Sequence, residues 1–306
     1  MKRKRIYNLY YKYISIYNRM KEMFLTNMSK KINIIYNEIL KPSGIILHLH
    51  GAGSHFQYIM DTPNDIKNRM NFFGKHNIMT YALEFQNHGK SDGELGIVND
   101  YNDLISDLKL TIDYIELQHK DVPLFIMAES MGGGVAIKNA IINKPNIKGY
   151  ILLAPLCGIA DIIKPNIVMQ KILIYGSYYF PNYNLTRNGS LDKSCIYDKY
   201  IQAKIKCEYN LEDFKLSTAR ECYYLSNWIE DNGHKFTDNI IVLHSQTDKV
   251  TCPQKSKEFI NKCSSLDKEI HLINDGNHTL LVPMYDNDYY PFVLLHKILN
   301  WVNNKM

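Results

Sequence analysis

Residues Leu124-Phe125-Ile126-Met127-Ala128-Glu129-Ser130-Met131-Gly132-Gly133-Gly134 constrain the fold more than any other stretch. Five apolar residues run into a serine flanked by small residues. Val135, Ala136, Ile137, Ala140 and Ile141 then recur at helical spacing. A strand that ends abruptly, a sharp turn and a helix together form a nucleophile elbow, which lifts a serine hydroxyl out of a sheet. The helix N-terminus behind the serine favours negative charge there. Small residues two positions before and two after it, Ala128 and Gly132, let strand and helix cross closely. Ala128 departs from the usual Gly-X-Ser-X-Gly form. The stretch does not decide the matter alone, because an apolar strand and a Gly-rich turn also open a phosphate-binding loop.

A second stretch of this kind lies upstream. Ile45–Leu49 reads as a buried strand and ends in His50-Gly51-Ala52-Gly53-Ser54. Glycines free the backbone to aim an N–H at a developing oxyanion; the plainer alternative is an ordinary βα turn. A helix is expected near 65–76, a strand at 77–84, a loop at 86–93, a helix at 101–119, and strands at 122–128 and 149–154. This alternation predicts an α/β fold with a mainly parallel sheet and helices on both faces. Ligands of such sheets bind beyond the carboxyl ends of the strands, where Ser130 and the 50–53 turn fall.

The alternation breaks over residues 156–235, which hold apolar and aromatic clusters (Ile172–Phe180, Trp228). It resumes with a strand at 240–244, a helix at 253–263 with Pro near its start, a strand at 269–273 and a final helix at 290–303. The expected organisation is a basic arm over 1–31, core over 32–155 with an edge strand at 32–40, a cap insertion over 156–235, and core again over 236–306. The aromatic part of the insertion reads equally as the wall of an acyl pocket or as the cap's own core.

An acyl-accepting serine needs a base to take its proton and an acid to orient that base. Downstream of Ser130, Asp248 follows a strand end in a tight polar turn, and His278 sits in the loop after the next strand. The order Ser, Asp, His and the strand-end placement fit one site. Asp275 is the second choice of acid. His244 ends its strand in reach of a supporting role, and His271 lies inside a strand. His50 reads as shaping its turn, His88 as loop packing, and Asp92 as a member of a turn network.

Residues 1–31 hold nine Lys/Arg and one acid, Glu22, so they carry more than the whole net charge of +5. The rest is mildly acidic and gives no reason to expect nucleic acid. The basic segment fits either an amphipathic helix on an anionic membrane or, ranked first, an arm that is partly disordered or packed on the domain. The six cysteines show no CxxC and no metal-like spacing, so free thiols in a reducing compartment are expected, with no metal or cofactor. There is no apolar run of transmembrane length and no signal-peptide core. A cytoplasmic location is expected, with membrane association through 1–31 left open.

From about Lys41 onward the chain resembles the monoacylglycerol lipase/lysophospholipase branch of the α/β-hydrolases, the group also called serine aminopeptidase S33. The resemblance rests on His50-Gly51-Ala52-Gly53-Ser54-His55, Asn87-His88-Gly89-Lys90-Ser91-Asp92-Gly93, Glu129-Ser130-Met131-Gly132-Gly133, Thr247-Asp248-Lys249-Val250 and Gly276-Asn277-His278. It implies an α/β-hydrolase fold with a helical cap, Ser130 as nucleophile, His278 as base and Asp248 as its partner. It implies an oxyanion hole from the N–H groups of Ala52 and Met131, supported by His50, Gly51, Gly53, Glu129 and Gly132. The implied substrate is a small-molecule lipid ester such as a monoacylglycerol or lysophospholipid. Acyl transfer from the same intermediate and a non-catalytic binding role are the alternatives. Departures are Ala128, Gln86-Asn87 where the family often has a Gly, and the basic N-terminus. The Asn-, Lys-, Ile- and Tyr-rich composition is similar to that of apicomplexan members.

Overall fold

The computed structural model describes residues 20–57, 62, 64–185, 194–209, 211 and 214–306. Eight strands form one sheet: β1 (Met20–Asn27), β2 (Lys30–Asn37), β3 (Gly44–Leu49), β4 (Ile78–Leu83), β5 (Leu124–Glu129), β6 (Gly149–Leu153), β7 (Ile240–Ser245) and β8 (Lys268–Ile273). Their order is β1-β2-β4-β3-β5-β6-β7-β8. β1 and β2 pair antiparallel, as do β2 and β4, and every later pairing is parallel. β3, β4, β6 and β7 are buried throughout their length. This explains why they are mostly apolar with no period-2 alternation, since a parallel sheet is covered on both faces.

Helices 101–118, 131–143, 216–232 and 253–262 cover one face, through Leu108, Val135, Leu225 and Phe259. Helices 66–74 and 290–303 cover the other, through Phe73, Leu294 and Ile298. Local chemistry sets the boundaries. Asp65 caps the first of these helices by accepting from Lys67 N–H, and Asp100 caps the helix at 101–118 through Asn102 N–H. The strand order reverses between β3 and β5, whose ends lie side by side with Leu49 opposite Ala128. That crevice is where a doubly wound sheet binds ligand.

Residues 32–40 are not the edge strand. β2 runs from Lys30 to Asn37 and is second in the sheet, and the edge is β1. β1 comes from the segment read as a basic arm, so the boundary at residue 31 falls inside a hairpin. Its Lys21 and Glu22 obscure a period-2 pattern in which exposed and half-buried residues alternate strictly. The hairpin turns at Met28, whose φ is 54°. The amphipathic-helix reading therefore does not hold for residues 20–27. For residues 1–19 it lies outside the described residues.

The segment after β6 carries short helical pieces at 167–171 and 177–179, joined by a π-turn at 172–176. Tyr175, Tyr178, Tyr179 and Phe180 are exposed, whereas Leu173 and Ser177 are buried. The aromatic run is thus not a core of its own. Helix 216–232 is tied to the loop before helix 101–118. Arg220 donates to Asn99 O at 2.7 Å, and Glu221 accepts from Tyr101 N–H at 3.0 Å. No helix among the described residues is long and apolar enough to cross a membrane.

Candidate active site

Ser130 stands between β5 and helix 131–143 with φ 51° and ψ −118°. A non-glycine residue held there is strained, and the surroundings must hold it. Its N–H donates to Leu153 O at 3.0 Å, and its carbonyl accepts from Gly134 N–H at 3.2 Å and Leu156 N–H at 2.9 Å. The chain after β3 crosses directly over it. A Cβ built on Gly51 would stand 3.0 Å from Ser130 Cβ, and one on Gly132 would stand 2.6 Å from His50 O. Glycine at 132 is therefore required by backbone contact, while Ala128 is fully buried and tolerated. Gly132→Ala is expected to lower stability by about 1–3 kcal/mol through overpacking and to cut activity with it. Thermal unfolding checks this, and an unchanged melting temperature contradicts the close crossing.

The turn after β3 is held by the loop after β4. Imidazole Nδ1 of His50 donates to Gly51 O at 2.8 Å, and Nε2 accepts from Phe85 N–H at 3.1 Å. Burial pushes the His50 pKa down to about 4, so the ring is neutral with one tautomer fixed. His88 Nδ1 donates to Gln86 O at 3.0 Å, and its Nε2 accepts a long bond from Gly53 N–H at 3.4 Å. Burial first, and the neighbouring His50 second, push His88 down to about 3. Glu84, fully buried, accepts from Phe56 N–H at 2.8 Å, Lys90 N–H at 2.9 Å and the Gln57 amide at 3.0 Å. Among the described residues, the N–H groups of Ala52 and Met131 enter no turn or loop bond.

His278 Nδ1 lies 2.7 Å from Asp248 Oδ2. The Val250 and Thr251 N–H groups bind Asp248 Oδ1 at 2.7 and 3.2 Å. Burial alone would raise the Asp248 pKa, but the His278 charge and the bonds from His244 and His278 outweigh it and hold the carboxyl far below its usual range. With Nδ1 committed to Asp248, Nε2 is the nitrogen left for a serine proton. No hydrogen bond joins Ser130 Oγ to His278 among the described residues, as is common before substrate draws such contacts together. Asp275 instead accepts from Thr247 Oγ1 at 3.0 Å in an exposed turn, so the second choice of acid does not meet the histidine.

His244 is fully buried, with Nε2 3.0 Å from the same Asp248 Oδ2 and Nδ1 2.9 Å from Ser256 Oγ. Two imidazoles thus share one carboxylate oxygen. His244→Leu is expected to lower kcat/KM roughly tenfold, the scale of one hydrogen bond to a charged group. A value within twofold of wild type would leave His244 a packing residue. The sequence reading noticed His244 but missed Glu84 and Arg69. A charged residue ending an apolar strand was the available sign for Glu84. Arg69 looks like any solvated helix residue until the fold buries it.

A strained serine on an elbow, an Asp–His pair on the following strand ends and a doubly wound sheet define the α/β-hydrolase fold. The chain belongs to the serine aminopeptidase S33 family, whose profile matches residues 40–283. It is similar to the monoglyceride lipase of Mus musculus, at 24% identity over 87% of this chain and 86% of that one. It is also similar to the caffeoylshikimate esterase of Arabidopsis thaliana, at 24% identity over 86% and 78%. Among solved structures, a soluble variant of monoglyceride lipase from Saccharomyces cerevisiae in complex with a substrate analog matches with a TM-score of 0.78. That match has 18% identity and covers 94% of this chain and 95% of that one.

Proposed function

We propose that this chain is a serine hydrolase cleaving the carboxylic ester of a monoacyl lipid, such as a monoacylglycerol or lysophospholipid. The single observation that carries the reading is the His278–Asp248 contact of 2.7 Å, made beyond the carboxyl ends of the parallel strands where Ser130 also sits with φ 51°. In this reading His278 Nε2 takes the Ser130 proton as Oγ attacks the ester carbonyl. The Ala52 and Met131 N–H groups hold the oxyanion. Collapse of the tetrahedral adduct expels the alcohol, which leaves with the proton from His278. Water, deprotonated by the same nitrogen, then attacks the acyl-enzyme, releasing the fatty acid and restoring Ser130. Residues 156–235 act as the cap that selects the acyl chain.

The names of the relatives favour this substrate class over amide hydrolysis. A panel of esters varied in acyl length and head group tests it. Monoacylglycerols and lysophospholipids should turn over ahead of di- and triacyl esters, and turnover of peptides without any ester hydrolysis would overturn it. Acyl transfer from the same intermediate is scored in those reactions by adding glycerol and measuring new ester. Membrane contact through the basic residues that precede β1 is scored by liposome flotation of the chain with and without residues 1–19, which leaves the β1–β2 hairpin whole, and equal flotation removes it.

A further inference from the structure

Arg69 is the largest fully buried side chain of the described core, 1% exposed on the helix 66–74. Its Nη2 lies 2.6 Å from Glu129 Oε1, and Glu129 is the residue just before Ser130. The contact is an ion pair without hydrogen-bond alignment, because Glu129 Oε1 enters no directed bond among the described residues. The directed bond of Nη2 goes to Asn64 Oδ1 at 2.6 Å. His48, near the end of β3 on the same face, has both ring nitrogens buried with no hydrogen-bond partner among the described residues. Burial, then the Arg69 charge, keep it well below its ordinary pKa and therefore neutral.

Burying a guanidinium is costly, and a buried ion pair is weak evidence of stability for its own sake. Its position suggests another use. Consecutive Cα atoms are 3.8 Å apart, so in any rotamer the Glu129 carboxylate stays within about 10 Å of Ser130 Oγ. Attack by Ser130 turns a neutral carbonyl oxygen into an anion at that place. An uncompensated carboxylate at about 10 Å, in a medium of effective dielectric about 20, would slow that step on the order of tenfold.

We propose that Arg69 is a positioning residue for the acyl transfer at Ser130. Its guanidinium neutralises the Glu129 carboxylate that the chain fixes beside the nucleophile, and it keeps that carboxylate turned toward helix 66–74. The effect is electrostatic and falls on the chemical step. It rests on the serine-hydrolase reading.

The test uses the full chain as wild type, R69M, R69K, E129Q and R69M/E129Q. The readouts are the rate constant of labelling by a fluorophosphonate probe, kcat and KM on a short soluble ester, and the melting temperature. R69M should lower labelling and kcat about tenfold with KM little changed, and R69K should keep most of the rate. R69M/E129Q should match E129Q, although it too has lost the ion pair. A double variant as slow as R69M, or R69M labelled at the wild-type rate, overturns the proposal. If R69M does not fold, R69K carries the test, and folded R69K as slow as the loss predicted for R69M contradicts it. Absence of labelling on wild type would instead contradict the hydrolase reading itself.

Discussion

Ser130→Ala is expected to remove about 10⁴–10⁶-fold of ester turnover, the scale seen when a catalytic serine is deleted from a working triad. The fold should survive. Among the described residues Ser130 Oγ makes no hydrogen bond, and the bonds that hold the elbow are backbone bonds to Leu153, Gly134 and Leu156. Alanine also relieves nothing of the left-handed backbone at φ 51°, so the melting temperature should move only slightly. Residual turnover would come from binding and the oxyanion donors. Steady-state kinetics on a soluble ester, with the melting temperature measured alongside, separates lost chemistry from lost structure. Retention of a tenth or more of the activity would remove Ser130 from the mechanism.

Asp248→Asn carries the second largest expected effect, about 10⁴-fold in kcat. Asp248 Oδ2 receives His278 Nδ1 at 2.7 Å and His244 Nε2 at 3.0 Å. The backbone N–H groups of Val250 and Thr251 hold Oδ1, so an asparagine oxygen stays on that side. Its amide N–H₂ then faces both imidazoles, donor against donor. His278 can answer only by moving its proton to Nε2, which is the nitrogen that must accept the serine proton. The same variant changes acid stability. The native carboxyl lies below its ordinary value, so its contribution is present above about pH 4 and is lost as pH falls toward the folded value. Acid unfolding of Asp248→Asn should therefore be flatter than wild type below about pH 4.

The parts of this arrangement that were legible in the sequence share one property. Ser130 and Asp248 each follow a buried, mostly apolar strand, and His278 follows the half-exposed strand β8, so strand ends and site residues could be read together. The helix at 253–262 and the final helix at 290–303 carried their own periodicity and a proline near the start. β1 was hidden because charge and alternation coincide in Met20–Asn27. Its strand character comes from pairing with β2 and not from its composition. Glu84 and Arg69 were hidden for a different reason. Their partners lie up to about sixty positions away in the chain, and only the sheet order brings Glu129 to helix 66–74. The aromatic run at 172–180 left a pocket wall and a core of its own equally open, because composition does not say which side chains a short helical piece buries; Tyr175, Tyr178, Tyr179 and Phe180 stand exposed.

The central claim is that Ser130 forms the covalent intermediate. It is tested most directly by reacting the full chain with a long-chain fluorophosphonate and locating the adduct by peptide mass spectrometry. A single stoichiometric adduct is expected on Ser130, slowed by competing monoacylglycerol and absent from Ser130→Ala. An adduct on another residue, or undiminished labelling of Ser130→Ala, would contradict it.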